Sequence, residues 1–408
     1  MKGKMHFSVY DYASFWGYIA YASCTLVIPL SLLQISSGLG FPVASGGMLH
    51  LCRSVAMLCL MLSCGFIAAR FGKAKPLGFA MLLMGSGLIL GAFSPLFGVL
   101  LVCVIFSGFG QGVFESMVTP FIQDRHKDSQ PGRYINFTHA FWSVGCVLAI
   151  LILSLALEKN ISWRFLLGAT GFLALFPAIL FLSGKKIRNS SSGNAQQYIS
   201  AEKKSFRETL HEYRDVLKDK HFLMYLWMLF LSGGSEHCLL FWTAVFIAQH
   251  FQKSALYCGA GTLLFSCGMI LGRILSGIYV SQKGLFRMLC IISCVACLIG
   301  ISVPLLNNIW CLFTVLFMLG CLSGPLWPSV QSCCVERVRG KNSSVLLTLL
   351  PCIGIPGCGI ITWCMGWVSN FFGTHSSFFL VPLCYLLIFL TLLLEKAFFS
   401  NKGRRMQA

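Results

Sequence analysis

The sequence predicts an all-α membrane protein: twelve transmembrane helices arranged as two pseudo-symmetric six-helix bundles. Three observations carry that expectation. Of the 408 residues, 56% are hydrophobic and only 11% are charged, and the mean hydropathy is +0.77. A soluble globular chain carries about 25% charged residues, so a soluble domain is excluded. Apolar runs of the about 20 residues needed to cross a bilayer as a helix recur from Phe7 to Phe399, with room for twelve. Finally, the two halves of the chain echo one another at a fixed spacing.

The spacing of the runs places helices one to six at 8–35, 44–68, 76–97, 98–122, 134–157 and 163–183. Helices seven to twelve fall at 221–249, 257–281, 288–306, 309–333, 343–369 and 374–397. The first run is too long for the apolar region of a cleavable signal peptide, so it reads as the first span. In helix seven, the adjacent Gly233 and Gly234 weaken helical structure and predict a bend. In helix ten, Gly324-Pro325 and Pro328 predict a kink, because proline removes a helical hydrogen bond. One long polar stretch interrupts the series. The expected organisation is therefore an N-terminal bundle (1–183), a linker (184–220), a C-terminal bundle (221–398) and a short tail (399–408). The linker combines the Ser/Gly/Asn-rich NSSSGNAQQ with the charged SAEKKSFRETLHEYRDVLKDK, which reads as an amphipathic helix on the membrane surface.

Lys and Arg crowd into the short segments on one side of the spans, as the positive-inside rule requires of cytoplasmic loops. Of the 31, only Lys159, Arg164 and Lys253 fall on the other side, and Arg53 and Arg273 lie within helices. Both termini are expected in the cytoplasm, in a plasma or inner membrane. The net charge of +18 is thus a topology signal and not a nucleic-acid surface. Most of the 20 cysteines sit inside apolar runs, where Cys behaves as a small hydrophobe. Cys294-x-x-Cys297 has redox spacing but lies at lipid depth, so no metal or redox role is assigned.

The internal repeat is the most specific pattern. Gly65 and Gly72 after helix two match Gly277 and Gly284 after helix eight, 212 residues on. The same offset carries Gly108, Gly112, Asp124 and Arg125 onto Gly320, Gly324, Glu336 and Arg337, and Gly145-Cys146 onto Gly357-Cys358. Parallel six-helix repeats are an arrangement of secondary transporters, with the substrate site between the halves at mid-membrane.

At these residues the chain resembles the major facilitator superfamily over essentially its whole length. The loop between helices two and three in that family reads G-x-x-x-D-R-x-G-R-R/K. Gly65, Arg70, Gly72, Lys73 and Lys75 match it, with Ala69 in place of the acid; the second copy has Ser281 and Gln282 in place of the Asp-Arg pair. The resemblance implies a conformational latch formed by Gly65, Arg70, Gly72, Asp124, Arg125, Glu336 and Arg337, with Asp124 or Glu336 standing in for the missing acid. A narrower stretch, GFGQGVFESMVTPFIQD followed by RYINFTHAFWSVG, is similar to the fucose:proton symporter family. Gly110, Gly112, Glu115, Pro120, Arg133, Asn136, Ser143 and Gly145 match, while Thr119 and His139 replace the family's Asn and Gln. The resemblance implies proton coupling at Glu115 and sugar contacts at Asn136 and His139.

Ionisable groups inside a membrane are costly, by about 2.5–3.5 kcal/mol on insertion scales, and mark pathways or relays. Glu115, Glu236 and His139 are the proton-coupling candidates. Asn136, His139 and Ser143 share one helical face by their spacing, at a depth where Glu115 can meet them. Arg53 reads either as an anchor for an anionic substrate or as the partner of Glu115. Trp242, Trp327 and Tyr21 are candidate substrate contacts; the repeat puts Trp327 where Glu115 stands in the first half. For each of these the alternative is a packing or fastening role between helices.

No phosphate-binding loop Gly-x4-Gly-Lys-Ser/Thr is present, and no His-Glu-x-x-His or Gly-x-Ser-x-Gly, so ATP hydrolysis and membrane hydrolysis lack a site. The expected function is a secondary active transporter, not an enzyme, moving a small polar metabolite such as a sugar together with protons by alternating access. No cofactor, metal or nucleic acid is expected; the partners are the substrate, protons and the lipid bilayer, and the protein is expected as a monomer. A drug or metabolite exporter of the same architecture and a non-transporting membrane sensor are the alternatives.

Overall fold

The computed structural model describes residues 6–126, 131–183, 206–338, 341 and 343–405. In the first half, helices α1 (Val9–Leu39), α2 (Gly46–Phe71), α3 (Ala74–Ala92), α4 (Phe97–Arg125), α5 (Pro131–Glu158) and α6 (Trp163–Ser183) follow one another. A short α7 (Phe206–Leu217) precedes α8 (Lys220–His250), α9 (Ala255–Tyr279), α10 (Leu285–Ser302), α11 (Ile309–Ser323), α12 (Leu326–Arg337), α13 (Ser343–Ser377) and α14 (Leu380–Arg405). Among the described residues, twelve helical segments are long and apolar enough to cross a membrane, with α11 and α12 together making one span. The chain is a multi-pass integral membrane protein. Because the crossings are even in number, α1 begins and α14 ends on the same face, termed here the terminal face.

Local chemistry fixes the helix ends. Ser8 precedes α1, and the Asp11 carboxylate accepts its N–H at 2.7 Å, closing a capping box. Asp219 caps α8 by accepting from the N–H groups of His221 and Phe222 at 2.8 and 3.2 Å. Asn308 does the same for Trp310 and Cys311 at the start of α11.

The structure corrects one expectation about the helices. The expected bend at Gly233-Gly234 is absent: α8 runs unbroken, and the glycines serve close approach. A methyl on Gly233 would meet the Trp327 ring and the Cys358 sulfur at 2.7 and 2.8 Å. The helical path expected to break between 369 and 374 does so at Gly373 (φ +80°), beyond which a short stretch runs to Ser377. Of the linker expected over 184–220, residues 184–205 lie outside the described residues, and the helix within it is α7, which packs on α13 and α8.

Packing repeats between the halves. In the first, α1 packs on α5 and α6, α2 on α4, and α3 on α4 and α6. In the second, α8 packs on α13 and α14, α9 on α11, and α10 on α11 and α14. The duplication extends to single atoms. A methyl on Gly108 would collide with the Arg53 carbonyl oxygen and one on Gly112 with that of Met57. In the second half Gly320 stands in the same relation to Phe265, and Gly324 to Met269. Those partners are again 212 residues apart. Small residues of this kind let membrane helices pack backbone to backbone. Gly112→Ala and Gly324→Ala are expected to destabilise the purified protein by about 1–3 kcal/mol each through overpacking, read as lowered melting temperatures. Gly65→Ala and Gly277→Ala, which meet nothing within 4 Å, are expected to leave stability unchanged or raise it by about 0.5–1 kcal/mol.

The seam between the halves is formed by α2 against α13, α5 against α9 and, less extensively, α1 against α8. Away from the terminal face it is tight. A methyl on Gly47 would come within 2.9 Å of the Trp363 Cα, and one on Gly359 within 2.8 Å of the Ser54 Cβ. Glu158 on α5 accepts the Leu256 N–H at the start of α9, at 2.9 Å, next to a cavity of about 330 Å³ lined by Gln34, Glu158 and Lys253 among others. Glu158 thereby places a carboxylate at the positive end of the α9 dipole and ties one half to the other.

Candidate functional site

Three polar clusters line the seam. The first belongs to the N-terminal half. Glu115 stands on α4, about 15 Å from its terminal-face end at 1.5 Å per residue. One turn further along the same helix, Thr119 bonds to His139 Nε2 on α5 at 2.8 Å. The same nitrogen lies 3.1 Å from the Tyr18 hydroxyl on α1. Three helices are thus joined through one imidazole. His139 is exposed although its partners lie in the bundle interior, so it looks onto open space inside the protein. Among the described residues, the half-buried Glu115 carboxylate has no hydrogen-bond or ion-pair partner. It lies within electrostatic reach of Tyr18 and Tyr21.

The second cluster faces it from the C-terminal half. Glu236, near the middle of α8, lies 3.7 Å from the Arg273 guanidinium on α9. Arg273 Nε donates to the Gly324 carbonyl at 2.9 Å. That carbonyl sits at the α11–α12 break, and its helical donor would be the N–H of residue 328, which Pro328 lacks. Arg273 is itself within electrostatic reach of His139 and Cys146 on α5, so the two clusters address each other across the seam.

The third cluster lies deeper. Arg53 on α2 donates from Nη2 to His50 Nδ1 at 2.9 Å, and the His50 ring stands 5.0 Å from that of His237 on α8. Tyr21 lies alongside, its ring 4.8 Å from Trp142 and 5.8 Å from Phe114.

The structure therefore brings Glu115, His139, Tyr21 and Arg53 to one seam with Glu236. The partner of Arg53 is His50, one turn away on its own helix, not Glu115. His139 meets Thr119 instead of Glu115; the two positions that depart from the symporter pattern are bonded to each other. Asn136 lies on α5 with its side chain outside the described residues. Trp242 is fully buried against α13, its Nε1 donating to the Thr362 carbonyl at 3.0 Å, which leaves it no free polar group. Trp327 wedges between Gly233 and Gly354.

The loop residues are engaged on the terminal face. Asp124 accepts from Lys73 at 2.7 Å, and Glu336 accepts from Gln282 at 3.0 Å. Each loop is thus tied to the acid ending the fourth span of its own half. Gly72 adopts φ +71°, which favours glycine; Arg70 is exposed, and a methyl added at Gly65 would meet nothing within 4 Å. Arg125 donates to the Ser8 hydroxyl at 2.9 Å and lies over the Tyr10 ring. Its repeat mate Arg337 donates to Glu395 and lies over Phe286. Sequence reasoning missed His50, Asp11 and Glu395. His50 was legible as the residue one turn before a membrane-embedded Arg. Asp11 and Glu395 look like flanking charges at span ends, and nothing local distinguishes them.

The family model of the Major Facilitator Superfamily matches residues 14–354. The chain belongs to that superfamily, a class of membrane transporters built on this twelve-helix fold. The nucleoside transporter NupG superposes with a TM-score of 0.76 at 13% identity, covering 95% of this chain and 98% of that one. The D-xylose-proton symporter gives 0.73 at 12% identity, covering 94% and 96%. A bacterial homologue of the human lysosomal transporter Spinster, in an inward-facing and unoccupied conformation, gives 0.71 at 13% identity, covering 97% and 96%. Among curated proteins none matches the sequence significantly. At these identities the likeness is one of fold.

Proposed function

We propose that the protein is a proton-coupled secondary transporter that carries a small polar metabolite by alternating access. The observation that carries the reading is Glu115: a carboxyl at mid-membrane, without a partner among the described residues, one turn from the Thr119–His139–Tyr18 network. A group that loads and releases a proton must reach both substrate and solvent, and an unpaired carboxyl beside an exposed imidazole does. Glu236, held by Arg273 on the facing half, is the second relay. Residues 1–183 and 221–398 act as the rocking units, joined by 184–220, with the tail 399–408 on the same side. The terminal face is the cytoplasmic one, by the charge bias of its loops, and the carrier works as a monomer in a plasma or inner membrane. Likeness in fold to a nucleoside transporter and a D-xylose-proton symporter supports a polar, hydroxylated or heterocyclic cargo.

The test is uptake by proteoliposomes of labelled pentoses, hexoses, nucleosides and their acidic derivatives, with and without an imposed pH gradient. At least one compound is expected to accumulate, and a protonophore to abolish the accumulation. Accumulation indifferent to the gradient overturns proton coupling. Outward flux alone makes the protein an exporter, and binding without flux makes it a sensor.

A further inference from the structure

Among the described residues, no acid forms an ion pair with Arg53. The residue is 5% exposed, and the groups within electrostatic reach are Tyr21, Cys24 and Cys358, with His50 and His237 beside them; none is a carboxylate. A buried charge is ordinarily paired, because desolvation otherwise goes uncompensated. The hydrogen bond to His50 does not supply the missing charge, and it fixes the chemistry of the imidazole. A guanidinium has only donors, so Nδ1 of His50 is the unprotonated nitrogen and the ring proton sits on Nε2. Among the described residues that Nε2–H is buried with no partner, and so is the Nε–H of Arg53. One fixed positive charge and two unfilled N–H donors therefore share one place, and an oxyanion satisfies all three.

The surrounding helices say which side such an anion comes from. Tyr21 and Cys24 are on α1, His50 and Arg53 on α2, His237 and Phe241 on α8, and Cys358 on α13. Both halves contribute, and the His50 ring packs against Phe241 as well as His237. The site is thus at the centre of the seam, away from the lipid-facing surface, which favours a water-soluble anion over a lipid headgroup.

We propose that the cargo carries a carboxylate or phosphate group, gripped by Arg53 and His50 at the centre of the seam between the two halves. This rests on the carrier reading above and narrows its small polar metabolite to an organic anion. A planar guanidinium suits both groups, since it presents parallel donors to two oxygens. Because donors from α2 face groups from α8 and α13, closure of the halves around the anion completes the coordination from both sides.

Thermal melting of the full-length protein in detergent tests the assignment with matched pairs that differ only in charge: glucose against glucuronate, and ribose against ribose 5-phosphate. Inorganic phosphate and phosphatidylglycerol are further arms. An acidic member is expected to raise the melting temperature where its neutral mate does not. Arg53→Leu is expected to weaken that binding by about thirtyfold or more, and His50→Phe to weaken it less. Without any ligand, Arg53→Leu is expected to melt above the wild type, because an uncompensated charge has been removed. This arm decides even if the panel lacks the natural cargo: Arg53→Leu melting below the wild type makes Arg53 structural and overturns the proposal. Equal stabilisation by neutral and acidic members, or stabilisation by phosphatidylglycerol alone, overturns it too. Flux separates the two readings. Neutral-sugar accumulation identical in wild type and Arg53→Leu keeps the carrier and removes the anion site; Arg53-dependent anion binding without flux does the reverse.

Discussion

Glu115→Gln is expected to abolish gradient-driven accumulation while leaving counterflow intact. For symport of one proton, a pH difference of one unit supplies about 1.4 kcal/mol, enough for about tenfold accumulation. The variant is expected to equilibrate its substrate to a ratio of about one under the same gradient. The physical basis is the isolation of the carboxyl: with no partner among the described residues, it makes no contact in this conformation that glutamine would remove. Exchange of labelled for unlabelled substrate requires only that the halves rock while loaded, so it survives loss of the titratable group. Accumulation by Glu115→Gln at the wild-type ratio would falsify the assignment of coupling to Glu115. Loss of counterflow together with accumulation would instead mark Glu115 as part of the substrate site.

Glu395→Ala is expected to be the most destabilising single change on the terminal face. Glu395 is fully buried on α14, where it accepts from Arg337 and from the Tyr225 hydroxyl at 3.3 Å. His221 Nδ1 lies 3.9 Å away. Removing one member of a buried pair strands the other and costs about 3–5 kcal/mol. Arg337 keeps 24% exposure and can turn toward water, which puts the expected loss near the lower figure. Replacing both residues, as Glu395→Leu with Arg337→Leu, is expected to recover most of the melting temperature, because well-packed apolar groups often equal a buried pair. A double variant no more stable than Glu395→Ala would show that the contacts of Arg337 with Phe286 and its neighbours, not the pair, hold α12 to α14 and α10. The C-terminal half would then be fastened by packing.

How far each feature was legible depended on whether its cause is local. Gly112 and Gly324 were readable as a pair because the repeat preserves spacing, and the structure places each against the carbonyl of a residue that is itself repeated. The kink at Gly324-Pro325 was readable because proline lacks a backbone donor. The bend expected at Gly233-Gly234 did not appear. Intrinsic helix weakness is overridden when Trp327, Cys358 and Ile361 fill the space that absent side chains leave. The role of Arg53 stayed open between an anionic substrate and Glu115, because sequence shows which groups are ionisable and at what depth, but not which way a long side chain turns.

By itself the sequence determined the class: the bilayer requires every backbone group to be bonded within a span, so runs of apolar residues dictate helices and their number. Loop charge and the 212-residue offset added the expected orientation and the duplication. Only the tertiary structure decided which polar groups meet. Such contacts join residues more than a hundred positions apart, as His139 joins Tyr18 on α1, or leave a group such as Arg53 without an acid partner among the described residues. Those outcomes depend on the crossing and rotation of whole helices, set by the sum of many small packing contacts, which no short stretch of sequence encodes.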